Sequence, residues 1–178
     1  IGKIPYEICN QLVSEVLLVC EINLERAICL YLEVEKTVVE GAGAASLGAL
    51  LCNVGRFKGK KVGLVLSGGN IDSRLLAQIV NRNLVRSGRI VSLRIEITDV
   101  PGTLAQVSSI VGQSGGNIIE VRHQRLFTDL PAKGAELDLM IEAPDQSNAQ
   151  EMIQNLKKEG FIVHILSGES GKNFLRNQ

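Results

Sequence analysis

Apolar residues in the first part of the chain recur mainly at helical spacing, interrupted by two short runs that are apolar throughout. Helices are predicted over 5–14, 21–35 and 40–54, because apolar residues three and four positions apart lie on one helix face. The two continuous runs, 16–20 and 62–66, predict strands that are buried on both faces. Helices and buried strands in this order indicate part of an α/β layer with a parallel sheet.

This first region is predicted to be an incomplete domain. Two short strands are too few for a doubly wound sheet, so we expect residues 1–72 to be the C-terminal portion of a larger α/β domain. The alternative is a small α/β domain that the second half or a partner copy completes. A helix over 73–88, ending at Gly88, is predicted to connect this region to the next.

The pattern after residue 88 predicts a second domain over 89–167, followed by a polar tail over 168–178. Its order is β-α-β-β-α-β, the ferredoxin-like arrangement. The predicted strands are 90–98, 117–127, 135–143 and 161–166, and the predicted helices are 103–114 and a segment capped by Ser147 that ends at Gly160. The first of these helices is predicted to turn Leu104, Val107, Ser108 and Val111 inward. Because helices cover only one face of such a sheet, the other face must be solvated or covered, and pairing with another copy is expected.

Composition excludes several classes of partner. Lys plus Arg and Asp plus Glu number 19 each, so the chain is neutral overall. It has no excess of positive charge that would indicate binding to nucleic acid or to an anionic membrane surface. No apolar run reaches the roughly 18 residues of a membrane span. The four cysteines lie among apolar residues without a Cys-x-x-Cys pair, which predicts buried free thiols, no metal site and a reducing, cytoplasmic compartment.

The segment 99–102, Asp-Val-Pro-Gly, joins a predicted strand directly to a helix. Pro101 restricts the loop, Gly102 permits a tight turn, and the unpaired N–H groups at the start of the helix attract a carboxylate. Asn117 follows a glycine pair and can face the same crevice to hydrogen-bond an amino acid. The structural alternatives are a plain strand-to-helix turn and a residue that merely begins a strand.

The segment 67–70, Ser-Gly-Gly-Asn, follows the second apolar run, at the carboxyl end where α/β sheets bind ligands. The Ser67 hydroxyl can hydrogen-bond a ring nitrogen, and the glycines let a flat ring lie against the backbone; a strand-ending turn is the alternative. The segment 40–43 contains Gly-x-Gly but not the remaining residues of a dinucleotide-binding motif, so it does not support NAD binding. His123 and His164 are predicted to be structural, and no catalytic constellation can be assembled.

Taken together, these motifs resemble the C-terminal part of threonine dehydratase (threonine ammonia-lyase), a fold-type II enzyme that uses pyridoxal phosphate (PLP) and carries a C-terminal ACT domain. The resemblance covers roughly residues 4 to 166. It rests on Glu40-Gly-Ala-Gly-Ala, Ser67-Gly-Gly-Asn-Ile-Asp, Asp99-Val-Pro-Gly-Thr-Leu and Gly116-Asn-Ile. The implied fold class is a partial fold-type II α/β domain followed by a ferredoxin-like α+β ACT domain.

The resemblance implies a parent enzyme that deaminates threonine to 2-oxobutanoate and ammonia, and often serine to pyruvate. It assigns Ser67 to the pyridine nitrogen of PLP, Glu40 to an acidic position near the ring, and Gly68, Gly69 and Asn70 to the wall beside it. The Ser-Phe-Lys motif with the Schiff-base lysine and the glycine-rich phosphate loop are absent from this sequence. The chain is therefore expected to be a fragment that binds no PLP and has no dehydratase activity alone.

The resemblance also implies regulation, because ACT domains typically pair side by side and bind an amino-acid effector at their interface. An effector of the isoleucine or valine class and a homo-oligomer, dimer or tetramer, are expected. The matching positions are Asp99, Val100, Pro101, Gly102, Thr103, Leu104, Asn117 and Ile118. The alternative is a stand-alone amino-acid-sensing or oligomerisation protein. RNA binding through the same strand order is excluded, since strand 135–143 has no aromatic residue.

Overall fold

The computed structural model describes residues 2–126 and 131–166. It divides into two compact units, Ile1–Val80 and Asn81–Gln178, and the division falls within the helix predicted to connect two domains. The predicted tail at 168–178, and the end of the predicted second strand at residue 127, lie outside the described residues.

The first unit is helical. Its helices are α1 (Lys3–Leu12), α2 (Glu21–Glu33), α3 (Gly41–Cys52), α4 (Val54–Phe57) and the first part of α5 (Ser73–Arg86). The core joins α2 and α3 to Ile79 of α5 and to Val39, both of which are buried. Ala27 and Ile28 of α2 and Ala44 of α3 complete the contact.

The two strands predicted in this unit are wrong. Residues 16–20 and 62–66 have no regular secondary structure, and all of 62–66 is exposed. Val16 and Leu18 are 78% and 90% exposed. An apolar run forms a buried strand only where neighbouring strands hydrogen-bond to its backbone N–H and C=O groups and its two faces are covered. Neither segment pairs with a strand in the described residues.

The cysteines are free, but the prediction that they are buried is wrong for three of the four. Cys29 is buried, whereas Cys9, Cys20 and Cys52 are exposed. Apolar neighbours in sequence did not predict burial, because Cys20 and Cys52 lie at helix ends. The described residues contain no group of three or more His, Cys, Asp or Glu side chains that could hold a metal ion. No helix within the described ranges is long and apolar enough to cross a membrane.

The second unit has the predicted β-α-β-β-α-β order. Its elements are β1 (Ile90–Thr98), α6 (Thr103–Gln113), β2 (Asn117–Gln124), β3 (Gly134–Glu142), α7 (Gln146–Lys158) and β4 (Ile162–Ile165). The strands form an antiparallel sheet in the order β2-β3-β1-β4. The ferredoxin-like prediction is therefore confirmed.

The core of this unit lies between one face of the sheet and the two helices. Leu93, Ile95, Leu137, Leu139 and Ile141 from the strands pack with Val107 and Val111 of α6 and with Met152 and Leu156 of α7. Gly116 precedes β2, where a Cβ atom would lie 2.9 Å from Val111 Cγ1 and 3.0 Å from Met152 Sδ. Only glycine fits between these side chains without displacing them.

Two local predictions in this unit are wrong. Leu104 is 38% exposed, because it lies in the first turn of α6 beyond the edge of the core. Asp145, and not Ser147, caps α7: its Oδ1 accepts the Asn148 backbone N–H at 2.9 Å. The Ser147 hydroxyl instead donates to the same carboxylate. A carboxylate before the helix satisfies an N-terminal amide and also complements the helix dipole.

Candidate functional site

The loop that joins β1 to α6 contains most of the residues predicted to bind an effector. Gly102 is the residue before α6 and has φ +95°, a left-handed conformation that favours glycine. The Thr103 hydroxyl donates to the carbonyl oxygens of Thr98 at 3.2 Å and Val100 at 3.1 Å. These contacts give the loop a defined turn, so that the first N–H groups of α6 follow directly after it.

Asp99 is fixed by residues from two other segments. Its backbone N–H donates to the carbonyl oxygen of Lys133 at 2.8 Å. Its Oδ2 accepts from Arg125 Nε at 2.8 Å, and its Oδ1 lies 3.5 Å from the buried Nε2 of His123. The Asp99 carboxylate therefore holds the loop against the end of β2. Arg125 belongs to no local motif, so nothing in the sequence distinguishes it as a partner of this loop.

Asn117 and Ile118 lie at the other end of the sheet. Asn117 pairs with Glu142 of β3, and Glu142 pairs with Ile90, the first residue of β1. Asp99 lies nine positions beyond Ile90, directly after β1, so along the sheet Asn117 and the start of the 99–104 loop are about 30 Å apart, at about 3.3 Å per residue. The structure does not bring Asn117 and the 99–104 loop together within one copy.

Among the described residues no strand pairs with the outer edge of β2, and that edge is partly apolar. Ile119 is 51% exposed and Val121 is 41% exposed. The register shifts between Ile118 and Glu120, which leaves Ile119 as the extra residue of a bulge. An exposed edge strand presents unpaired N–H and C=O groups that another strand can bind.

The sheet face opposite the helices is charged and internally paired. Arg94 donates to both oxygens of Asp138, at 2.7 and 2.9 Å, and lies 3.2 Å from Glu136. Gln124 Nε2 donates to the same Asp138 carboxylate at 2.9 Å. The hydrogen bonds from Arg94 hold the pKa of Asp138 below its usual value, and this pairing raises the pKa of Arg94. Arg94 thus pairs with two carboxylates on a face that water can solvate.

A cavity of about 350 Å³ opens beside the start of the 99–104 loop. Its lining includes Glu96, Lys133 and Ile162, which offer a carboxylate, an ammonium and an apolar surface. Glu96 Oε1 lies 2.7 Å from His164 Nε2. The cavity contains none of residues 99–104, so it is distinct from the predicted effector site.

In the first unit, the structure brings Glu40 and the 67–70 segment together. The Glu40 backbone N–H donates to the Gly68 carbonyl at 3.2 Å. A Cβ atom on Gly43 would lie 1.9 Å from the Ser67 carbonyl oxygen, so the start of α3 contacts this segment directly. A Cβ atom on Gly69 would likewise lie 2.8 Å from the Val38 carbonyl oxygen.

These close backbone contacts leave the predicted cofactor-binding groups accessible. All of residues 67–70 are exposed, while Glu40 is half-buried at the start of α3. A serine hydroxyl, a carboxylate and a glycine-lined wall fit the polar edge and flat face of a pyridine ring. The lysine and the phosphate loop that a PLP site also requires are not among these residues.

The chain is 37% identical over 165 residues to the L-threonine ammonia-lyase of Thermotoga maritima and 39% identical over 166 residues to that of Geobacter sulfurreducens. Each alignment covers 93% of this chain and 41% of the relative, so the chain spans about two fifths of these proteins. No protein-family model matches the chain.

Among solved structures, the ACT domain of the GTP pyrophosphokinase of Chlorobium tepidum aligns with 43% of this chain and 96% of that domain, at 19% identity and a TM-score of 0.35. The sequence relationship to the ammonia-lyases covers both units described above. The chain is thus related over almost its whole length to L-threonine ammonia-lyase and corresponds to the C-terminal part that the motifs predicted.

Proposed function

We propose that the chain is the regulatory C-terminal part of a threonine ammonia-lyase, with residues 89–167 acting as an amino-acid-binding ACT domain. The observation that carries this proposal is the 37–39% identity to two L-threonine ammonia-lyases over 93% of the chain. The ferredoxin-like order of the second unit supports it. The relationship to enzymes also favours this function over a stand-alone sensing protein.

The parent protein would convert threonine to 2-oxobutanoate and ammonia, and serine to pyruvate. When bound, PLP supplies the electron sink for the β-elimination. In this chain the Ser67 hydroxyl would face the ring nitrogen, and Glu40 would lie near the ring. Gly68, Gly69 and Asn70 would form the wall beside it. The free thiols are consistent with a cytoplasmic location.

The effector site is proposed to form between two copies. Asn117 and the 99–104 loop lie at opposite ends of the sheet in one copy. A two-fold axis beside the exposed β2 edge would pair the two β2 strands antiparallel and bring the loop of one copy to Asn117 of the other. Such an interface uses the same surface on both copies and creates two equivalent sites in a dimer.

The chemistry of the two half-sites matches an apolar amino acid. The N–H groups at the start of α6 favour the effector carboxylate. Val100 and Leu104, which are 52% and 38% exposed, offer apolar surface to a branched side chain. The Asn117 side-chain oxygen from the other copy can accept from the effector ammonium group. This combination favours isoleucine or valine over a polar amino acid.

Isothermal titration calorimetry with isoleucine and valine tests the effector role on the 178-residue chain. Binding heat is expected at protein concentrations where sedimentation shows a dimer, and Asn117→Ala is expected to weaken it by at least tenfold. Absence of heat with every amino acid would contradict the effector role. If Lys133→Ala weakens binding and Asn117→Ala does not, the effector binds in the cavity beside the loop and the shared site is wrong.

A mixing experiment tests whether the site is shared between copies. Asn117→Ala and Leu104→Lys disable opposite half-sites, and neither side chain is part of the buried core. Mixed dimers of the two variants contain one intact site, so an equimolar mixture should recover about a quarter of the wild-type sites. No recovery despite demonstrated mixed dimers would place both residues in a site within one copy.

The expected lack of catalysis is tested directly. The chain is incubated with PLP and threonine, and 2-oxobutanoate is measured against a blank without protein. No product is expected, because the motif with the Schiff-base lysine is absent from this sequence. Product above the blank would show that the remaining residues suffice for the reaction.

A further inference from the structure

Cys20 and Cys52 are distant in sequence and adjacent in space. The side-chain amide of Asn23 donates from its Nδ2 atom to Cys20 Sγ at 3.3 Å and to Cys52 Sγ at 2.9 Å. One amide group therefore contacts two neighbouring sulfur atoms.

Two packed helices of the first unit hold this pair in place. Cys20 immediately precedes α2, and Cys52 is the last residue of α3. Both thiols are exposed. The helices contact each other through buried residues, including Ala27, Ile28 and Ala44, so the separation of the two sulfurs does not depend on a loop. Cys29 differs from both, because it is buried within that core.

The surroundings of Cys20 favour its thiolate. The pKa of the Cys20 thiol is lowered, because Asn23 and the Cys52 thiol lie close enough to stabilise its thiolate by hydrogen bonding. Its position before the first turn of α2 adds the positive end of the helix dipole. An accessible thiolate beside a second thiol is the arrangement that reacts to form a disulfide.

We propose that Cys20 and Cys52 are a redox-active dithiol that a small-molecule disulfide, such as oxidised glutathione, converts to an intramolecular disulfide. The Cys20 thiolate attacks one sulfur of the oxidant, whose S–S bond breaks to release one thiolate and leave a mixed disulfide on Cys20. Cys52 then loses its proton and attacks the Cys20 sulfur, and the second thiolate leaves. The two cysteines are oxidised, one disulfide is reduced to two thiols, and the two cysteine protons end on those thiols.

The new bond would link the start of α2 to the end of α3. It lies wholly within the first unit and requires neither PLP nor an amino-acid effector, so the inference is independent of the proposed function. Reduced glutathione or a dithiol reductant would reverse it.

The test equilibrates the 178-residue chain in glutathione buffers of increasing oxidised fraction, alkylates the remaining thiols and maps disulfides by mass spectrometry after trypsin digestion. Cleavage is expected to give peptide 4–26, which contains Cys9 and Cys20, and peptide 37–56, which contains Cys52. The background is Cys9→Ser, so that a link between the two peptides identifies one pair. The Cys20–Cys52 link should rise with the oxidised fraction and disappear on addition of dithiothreitol.

Two further variants test the proposed steps. Cys52→Ser should stop at the mixed disulfide on Cys20, because the second attack has no thiolate. Asn23→Ala should slow alkylation of Cys20 near neutral pH by about fivefold, since it removes a hydrogen bond to the thiolate. Far-UV circular dichroism checks that each variant remains folded.

Several results would overturn the inference. A wild-type chain that accumulates only glutathione adducts, only disulfides between chains, or links involving Cys29 would show that the pair does not close. Equal alkylation rates for Cys20 and the exposed Cys9 in the wild-type chain would show that Cys20 is not activated.

Discussion

The carboxylate of Asp99 accepts a hydrogen bond from Arg125 Nε at 2.8 Å. This bond links the loop after β1 to the residue that directly follows β2. The Asp99 backbone N–H is bound in turn to Lys133. This carboxylate is therefore engaged within the protein, and it positions the loop for the proposed effector rather than standing free to bind one.

Arg125→Ala is expected to weaken isoleucine binding severalfold while changing the free energy of unfolding of the second unit by less than about 1 kcal/mol. The side chains of Arg125 and Asp99 are 56% and 34% exposed, and exposed ion pairs contribute little to stability. The loss of affinity would come from ordering the loop on binding. Calorimetry and urea unfolding measure the two effects.

The control for this variant is Arg122→Ala, which removes an exposed arginine of β2, three positions before Arg125, that pairs with Glu120. It should leave isoleucine affinity unchanged. Equal losses of affinity in both variants would point to net charge, and a large loss of stability in Arg125→Ala would show that the pair supports the fold.

Asp138→Asn is expected to destabilise the second unit by about 2 kcal/mol at pH 7, since it weakens two hydrogen bonds from Arg94 to a carboxylate that is 17% exposed. The pKa of Asp138 is lowered by Arg94, so its contribution to stability is complete above the unfolded value of about 3.9. That contribution is lost as the pH falls through the lower pKa that Asp138 has in the folded state.

The difference between wild type and Asp138→Asn should therefore be constant near neutral pH and shrink below about pH 4. Urea unfolding monitored by far-UV circular dichroism at several pH values measures it. Glu142→Gln, an exposed carboxylate on the same strand, is the control and should have little effect. A difference that grows on acidification would contradict the assigned sign.

Gly43→Ala is expected to destabilise the first unit by about 1–3 kcal/mol, because the added methyl group would overlap the Ser67 carbonyl oxygen 1.9 Å away. Both tyrosines, Tyr6 and Tyr31, lie in this unit and the chain has no tryptophan, so tyrosine fluorescence during urea unfolding reports on it alone.

Gly41→Ala is the matched control, two positions earlier in the same helix, where a Cβ atom would meet nothing within 4 Å. It should be neutral or stabilise by up to about 1 kcal/mol, since alanine favours the helix more than glycine does. Similar effects of the two substitutions would mean that the 67–70 segment is not held against α3.

Asp145→Ala is expected to lower the melting temperature of the second unit by more than Ser147→Ala does. Asp145 accepts the Asn148 backbone N–H and so satisfies the first turn of α7, whereas Ser147 only donates to that carboxylate. Thermal unfolding followed by circular dichroism compares the two. A larger effect of Ser147→Ala would restore Ser147 as the cap.

Most of the second unit was predictable because its signals are local. The sequence pattern identified β1 and β3 to within a residue, and Leu137, Leu139 and Ile141, which alternate along β3, are all buried. The prediction of strands at 16–20 and 62–66 is wrong, because an apolar run indicates that its side chains favour burial but does not show which segment would bury them. The hydrogen bond between Asp99 and Arg125 could not be predicted from a local pattern either, since the two residues are 26 positions apart.

The sequence by itself determined the order of elements in the second unit, the glycine turn at Gly102 and the relationship to the ammonia-lyases, because propensity, periodicity and motifs act over a few neighbouring residues. Only the tertiary structure decided that Asn117 lies at the far end of the sheet from the 99–104 loop. It also decided that Cys20 and Cys52 share one amide donor. Strand register and helix packing bring distant segments together, and no local pattern encodes those distances.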